Sequence, residues 1–217
     1  MKHFLTISVF LAVACLGCKP GKDTQVSKTT SPTDTPGPVI SLNSFPLTVG
    51  NMWVYDNGDT IRAVTDTTIG GITATKLVKR NGNYTAAIYC ANQPDGMHVI
   101  GSNWKFGFEE LTGPLYSGSE AGDTVQYPNP SILMIKLPVA ITNSWDVHIA
   151  GYEHFRRQWV SYVTLTTPAG TFNCVKMTTP DLNEYYSDKG LVQTVGITEC
   201  LVAPCPVFAT KLVYVNF

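Results

Sequence analysis

The order of apolar and polar positions divides the chain into three stretches. Phe4 to Leu16 is an apolar run with almost nothing polar in it, preceded by Met1-Lys2-His3. Residues 19 to 44 are Lys, Asp, Ser, Thr, Pro and Gly with hardly any large apolar side chains. They bury too little surface to offset the entropy of ordering and read as a flexible tether. From Phe45 onward aromatic and β-branched residues alternate with polar ones, and Gly, Pro and Asn punctuate the pattern at short intervals. A period of two broken by turn residues predicts half-buried strands.

Several of the turns have a mechanism. Gly70-Gly71 and Asn81-Gly82 sit between alternating runs and tolerate the positive φ that two-residue hairpins demand, which predicts a meander of 59–69, 72–80 and 84–91. Pro94-Asp95-Gly96 and Pro168-Ala169-Gly170 read as longer turns, the second joining 156–167 and 171–179 into a long hairpin. Further strands are expected at 97–101, 104–110, 131–137, 145–150, 190–199 and 207–216, with short helical turns confined to 108–117. Ile132-Leu133-Met134-Ile135 asks for burial on both faces, which favours a sandwich or a strongly curved sheet. The expected fold class is mainly β: an antiparallel meander forming a curved sheet, half-open barrel or sandwich, with little helix. The roughly 170 residues of 45–217 suit a single domain.

The basic start and apolar run have the layout of a secretory signal, and the run is shorter than the roughly 20 apolar residues of a permanent membrane helix. Leu16-Gly17-Cys18-Lys19 resembles the lipobox of bacterial lipoproteins. That resemblance implies removal of residues 1–17, attachment of palmitate-type acyl chains to Cys18, and a membrane-held tether over 18–44. Cys15 stands where the lipobox usually has Leu and, after Ala12-Val13-Ala14, is itself a competing attachment site. Each buried methylene adds about 0.8 kcal/mol, so several chains anchor stably where one does so marginally.

Charge and cysteine content narrow the partners. The formal net charge is −1, and the adjacent basic pairs are Lys79-Arg80 and Arg156-Arg157, too little to track a nucleic-acid backbone. Outside the cytoplasm Cys90, Cys174, Cys200 and Cys205 are free to pair. Cys200 and Cys205 bracket a bent Leu-Val-Ala-Pro loop and are expected to join. Cys90 with Cys174 then follows by elimination among three connectivities. A zinc site would show two close pairs where this chain has one, so no metal or cofactor is expected.

Candidate chemistry is sparse. His148 and His154, on one continuous strand, would stand roughly 20 Å apart, too far to share a metal. His98, between Met97 and Val99, reads as a hydrogen-bonded structural residue. Ser117-Gly118-Ser119-Glu120-Ala121-Gly122 has its glycines misplaced for a nucleophile elbow. Glu109, Glu110, Asp181 and Glu184 are the acids a glycosidase-type site would draw on. Asp59-Thr60-Ile61, Asp66-Thr67-Thr68 and Asp123-Thr124-Val125 resemble O-glycosylation sites of exported bacterial proteins.

Three motifs carry a wider resemblance: Phe45-Pro46-Leu47-Thr48-Val49-Gly50-Asn51-Met52-Trp53-Val54-Tyr55, Thr167-Pro168-Ala169-Gly170-Thr171-Phe172-Asn173-Cys174, and Tyr185-Tyr186-Ser187-Asp188-Lys189-Gly190-Leu191-Val192. Together they resemble uncharacterised secreted lipoproteins of the Bacteroidota, whose architecture is similar to the half-open barrels of periplasmic lipoprotein carriers. The resemblance implies a protein outside the cytoplasm, at the outer membrane, with a curved sheet lining an apolar groove. The leading expectation is a non-enzymatic domain that binds an apolar ligand, a glycan or an envelope protein, and not nucleic acid. Trp53, Tyr55, Trp104, Trp145 and Trp159 are its candidate contacts. The alternative is a hydrolase of envelope glycan or peptide using the paired acids.

Overall fold

Alternation in the body produces strands throughout. The computed structural model describes residues 35–82, 84–104, 121–126, 130–148, 155–180, 182–197 and 207–217, and among them there is no helix. The strands in chain order are β1 (Thr35–Pro36), β2 (Met52–Tyr55), β3 (Thr60–Ile69), β4 (Ile72–Asn81), β5 (Tyr84–Gln93), β6 (Gly96–Trp104) and β7 (Ala121–Gln126). They continue as β8 (Ile132–Lys136), β9 (Ser144–Val147), β10 (Phe155–Thr167), β11 (Gly170–Thr178), β12 (Leu182–Ser187), β13 (Gly190–Ile197) and β14 (Val207–Asn216).

These strands form one antiparallel sheet in the order β1-β10-β11-β12-β13-β14-β2-β3-β4-β5-β6-β7, with β8 on β6 and β9 on β10. The turns act as their residues dictate. Gly70 and Gly71, at φ 58° and 83°, join Ile69 to its partner Ile72. Pro168-Ala169 closes the β10–β11 hairpin between Thr167 and Gly170. The expected strands 97–101 and 104–110 are one element as far as Trp104, and residues 105–120, including the expected helical turns, lie outside the described residues.

The sheet curls but does not close into a barrel. β8 and β9 face one another across a seam that has no backbone ladder. Side chains of β10 bridge it instead: Arg157 Nη1 donates to Met134 O at 3.0 Å and Trp159 Nε1 donates to Lys136 O at 3.0 Å. Both acceptors are carbonyls of β8.

Inside the curl lies the main core, containing Trp53, Leu77, Met97, Met134, Trp159, Met177 and Leu212. Two smaller clusters sit apart from it, one around Val163, Cys174, Tyr185 and Val192, the other around Ala74, Ala91 and Ile100. Successive strand residues point to opposite faces. Cys174 and Val175 illustrate this, because they belong to different clusters.

The expected boundary at Phe45 is overtaken by the structure. Thr35 and Pro36 pair with Thr164 and Val163 on β10, and Gly37 N donates to Tyr162 O at 3.1 Å. A Cβ at Gly37 would come within 2.4 Å of the Val163 carbonyl carbon, so glycine is what lets the chain lie flat there. The segment then crosses the sheet as a strap that buries Leu42, Phe45 and Leu47. Asn92 clamps it, accepting from Phe45 N at 3.0 Å and donating to Phe45 O at 2.8 Å. A few apolar residues within the polar stretch suffice for this because they land in a preformed concavity.

Candidate functional site

The aromatic residues expected to contact ligand take core positions. Trp53, Tyr55, Trp145 and Trp159 are all buried, Trp159 at 0% exposure. The polar tips of three of them serve the fold, while Trp145 Nε1 has no hydrogen-bond partner among the described residues. Trp53 Nε1 donates to Lys189 O at 2.6 Å, Tyr55 Oη donates to Leu191 O at 3.0 Å, and Trp159 Nε1 spans the seam. Burial, together with the charges of Asp59 and Glu184, pushes the Tyr55 phenol far above its ordinary range. Trp104 ends β6, and its side chain lies outside the described residues.

The concavity that the curled sheet would offer an apolar ligand is filled. Phe45 packs against Trp53 at 6.1 Å and edge-on to Tyr186 at 6.3 Å between ring centroids. The void left among Phe45, Trp53, Tyr55, Leu77 and Tyr186 is about 10 Å³, roughly the room of one water.

Ionisable groups inside are locked in pairs. Glu184, 0% exposed, meets Arg157 Nη1 at 3.3 Å and accepts from Tyr186 Oη at 3.2 Å. Asp59 meets Lys79 at 3.2 Å and accepts from Asn81 Nδ2 at 2.8 Å. Of the acids a hydrolase would draw on, Glu184 is thus sealed from solvent, and Glu109, Glu110 and Asp181 lie outside the described residues.

Cys90 and Cys174 are free thiols, so the pairing expected by elimination does not form. The reason is geometric: Cys90 on β5 points into the main core, whereas Cys174 on β11 belongs to a cluster apart from it. Six strands of the sheet order lie between β11 and β5, and a disulfide needs Cα atoms within about 7 Å of each other. Cys18, Cys200, Cys205 and His154 lie outside the described residues. Among the described residues no group of three His, Cys, Asp or Glu is placed to hold a metal ion.

His98 is hydrogen-bonded, as its place in the strand indicated, but its partners escaped the sequence reading. His98 Nδ1 lies 3.0 Å from Ser131 Oγ and Nε2 lies 2.9 Å from Asp95 Oδ1. The pairing of β6 with β8 brings Ser131 there, which no local pattern announces. Partial burial raises the Asp95 carboxyl, but the hydrogen bond and charge of His98 outweigh it and hold Asp95 below its ordinary value. In a serine hydrolase the acid is buried and the serine presented. Here the Asp95 side chain is 60% exposed while Ser131 is half-buried. The array ties the β5–β6 turn to the entry of β8.

An open cleft of about 440 Å³ lies elsewhere, between the strap and the β10–β11 hairpin. Ser41 comes from the strap, Thr171 and Asn173 from β11, and Asp188 and Lys189 from the turn after β12. Asn173 Oδ1 accepts from Thr164 Oγ1 at 3.1 Å, which leaves its amide hydrogens for another partner. Lys189 Nζ lies 3.7 Å from Asp188 and 5.0 Å from the Phe217 ring centroid. Asp188-Lys189 belonged to a motif the sequence singled out. Nothing local indicated that Ser41 would face it.

No protein-family model matches the chain, and no curated protein does. Two solved structures are similar to it. One is a candidate lipoprotein from Parabacteroides distasonis, at 19% identity over 79% of this chain and 97% of that one, with a TM-score of 0.40. The other is a candidate exported protein with a YmcC-like fold from Bacteroides fragilis, at 12% identity over 81% of this chain and 99% of that one, with a TM-score of 0.43.

Proposed function

We propose that this protein is a lipid-anchored envelope protein, held at the outer membrane through Cys18, whose β body binds a partner at its surface and performs no chemistry. The observation that carries this reading is the filled interior. With a void of about 10 Å³ where a carrier would keep its groove, an acyl chain has no room there. Arg157–Glu184 and Lys79–Asp59 are each other's partners, not a substrate's. Recognition then falls to the outside of the sheet, where the cleft beside the strap is the roomiest described feature of the two. The resemblance of residues 16–19 to a lipobox supports the anchor.

Labelling expressing cells with tritiated palmitate tests the anchor: the chain should carry label, and Cys18→Ala should lose it. An unlabelled wild-type chain would sink the anchoring half. Incubation with purified envelope glycan and peptidoglycan tests the other half, which turnover of either polymer by the purified chain would overturn.

A further inference from the structure

We propose that the cleft between the strap and the β10–β11 hairpin is a binding site for an uncharged, hydroxyl-rich ligand, a neutral oligosaccharide segment. This rests on the reading of the body as a surface-binding domain and assigns that domain its site and ligand class.

Size comes first. At about 440 Å³ the cleft falls within the range of about 300–1,000 Å³ that small-ligand sites occupy, whereas the interior void does not. Polarity comes next. Ser41 and Thr171 offer hydroxyls that donate and accept, and Asn173 offers amide hydrogens left over from its bond to Thr164. Thr164 and Thr166, bonded to Asn173 and Thr171 across the hairpin, extend this hydroxyl-rich stripe. Ile40 adds an apolar wall for the carbon face of a sugar ring.

Charge argues against ionic ligands. Lys189 is the cation of the cleft, and it is matched by Asp188 beside it and by the face of Phe217. A phosphate or carboxylate ligand would meet no net positive field, and a cationic one would meet no free acid. An extended peptide would need an open strand edge to add to. β11 keeps one over Gly170–Cys174, because β12 pairs it only over Val175–Thr178, so a peptide is the competing occupant, and binding of an unstructured peptide in place of every sugar overturns the ligand class. Rigidity is also built in: the strap is pinned through Gly37 and Asn92, and the opposite wall is a ladder-paired hairpin.

The test is calorimetric titration of the full chain in detergent with maltohexaose, cellohexaose, xylohexaose and mannohexaose, and with heparin as the charged control. At least one neutral oligosaccharide should bind, and heparin should not. Ser41→Trp, at an exposed position where the indole fills the cleft, and Asn173→Ala should each weaken that binding tenfold or more without lowering the melting temperature. Failure of all four sugars to bind at millimolar concentration overturns the ligand class. Binding that survives both substitutions overturns the site. In either case, retention of another envelope component leaves the surface-binding reading standing, whereas hydrolysis of a sugar in the titration ends both.

Discussion

Arg157 is the residue on which most of the interior's electrostatics turns. It is 1% exposed, bonded to a backbone carbonyl across the seam and paired with a fully buried glutamate. Its Nε and Glu184 Oε1 have no protein partner. Removing one member of a buried pair leaves an uncompensated charge and costs about 3–5 kcal/mol, whereas replacing both by apolar residues is often neutral. Arg157→Met is therefore expected to lose about that much in urea unfolding, and Arg157→Met with Glu184→Leu to recover more than half of it. A single-substitution loss below about 1 kcal/mol would show the pair to be solvated. The thiols supply a second residue-scale expectation. Burial pushes Cys90 up to about 12, and burial with the charge of Asp188 does the same for Cys174. A thiol raised in the folded state contributes stability that is intact below its unfolded pKa of about 8.5 and is lost as pH rises toward the folded value. The protein should therefore destabilise progressively between pH 8.5 and about 12. Cys90→Ala with Cys174→Ala should flatten that limb below about pH 10, above which the raised phenols of Tyr55 and Tyr186 act in the same direction. A thiol-specific disulfide reagent at pH 8 should leave both unlabelled until denaturant is added.

At the level of elements, strand positions were legible wherever a turn residue had a unique job. Gly70-Gly71 and Pro168-Ala169 closed the hairpins their chemistry demanded, and the last strand ran over residues 207–216 as the alternation indicated. β1 and the strap were not legible. Their ordering depends on Gly37 lying against β10 and on Leu42 and Phe45 reaching a concavity made by distant strands. The cleft was illegible for the same reason, since Ser41 and Lys189 meet only after the sheet curls. The aromatics were read as contacts on the strength of residue type, and type does not distinguish a ligand wall from a core. Glycines separate into two kinds on the same grounds. Gly96 has φ 147°, and a Cβ there would stand 1.9 Å from Ile135 O on β8, while Gly70 has φ 58° with nothing within 4 Å. Gly70→Asn should be nearly neutral, because asparagine visits the left-handed region readily. Gly96→Asn should cost at least about 1–3 kcal/mol from backbone strain alone, and more from displacing β8. Equal melting temperatures for the two variants would contradict the close approach.

Across the whole molecule the sheet is unevenly fastened. β4 is laddered on both sides, to β3 and β5, so any opening there breaks two rows of backbone bonds. β8 is laddered to β6 on one side, and on the other it is held by the side chains of Arg157 and Trp159. Local opening proceeds where the fewest bonds are broken, so the seam is the low-stability end of an otherwise cooperative body. The filled interior reinforces this, because packing in the curl depends on Met134 and Ile135 of β8 staying in place beside Trp159. Trp159→Phe isolates the effect: it keeps a large ring in the core and deletes the donor to Lys136 O. A fully buried carbonyl left without a donor costs about 1–3 kcal/mol, and the half-buried Lys136 O falls at the low end of that range. Hydrogen exchange should therefore accelerate at the β8 amides by about tenfold or more while those of β4 change little. If β4 and β8 accelerated together, the seam would be no weaker than the rest, and the curl would open only by global unfolding.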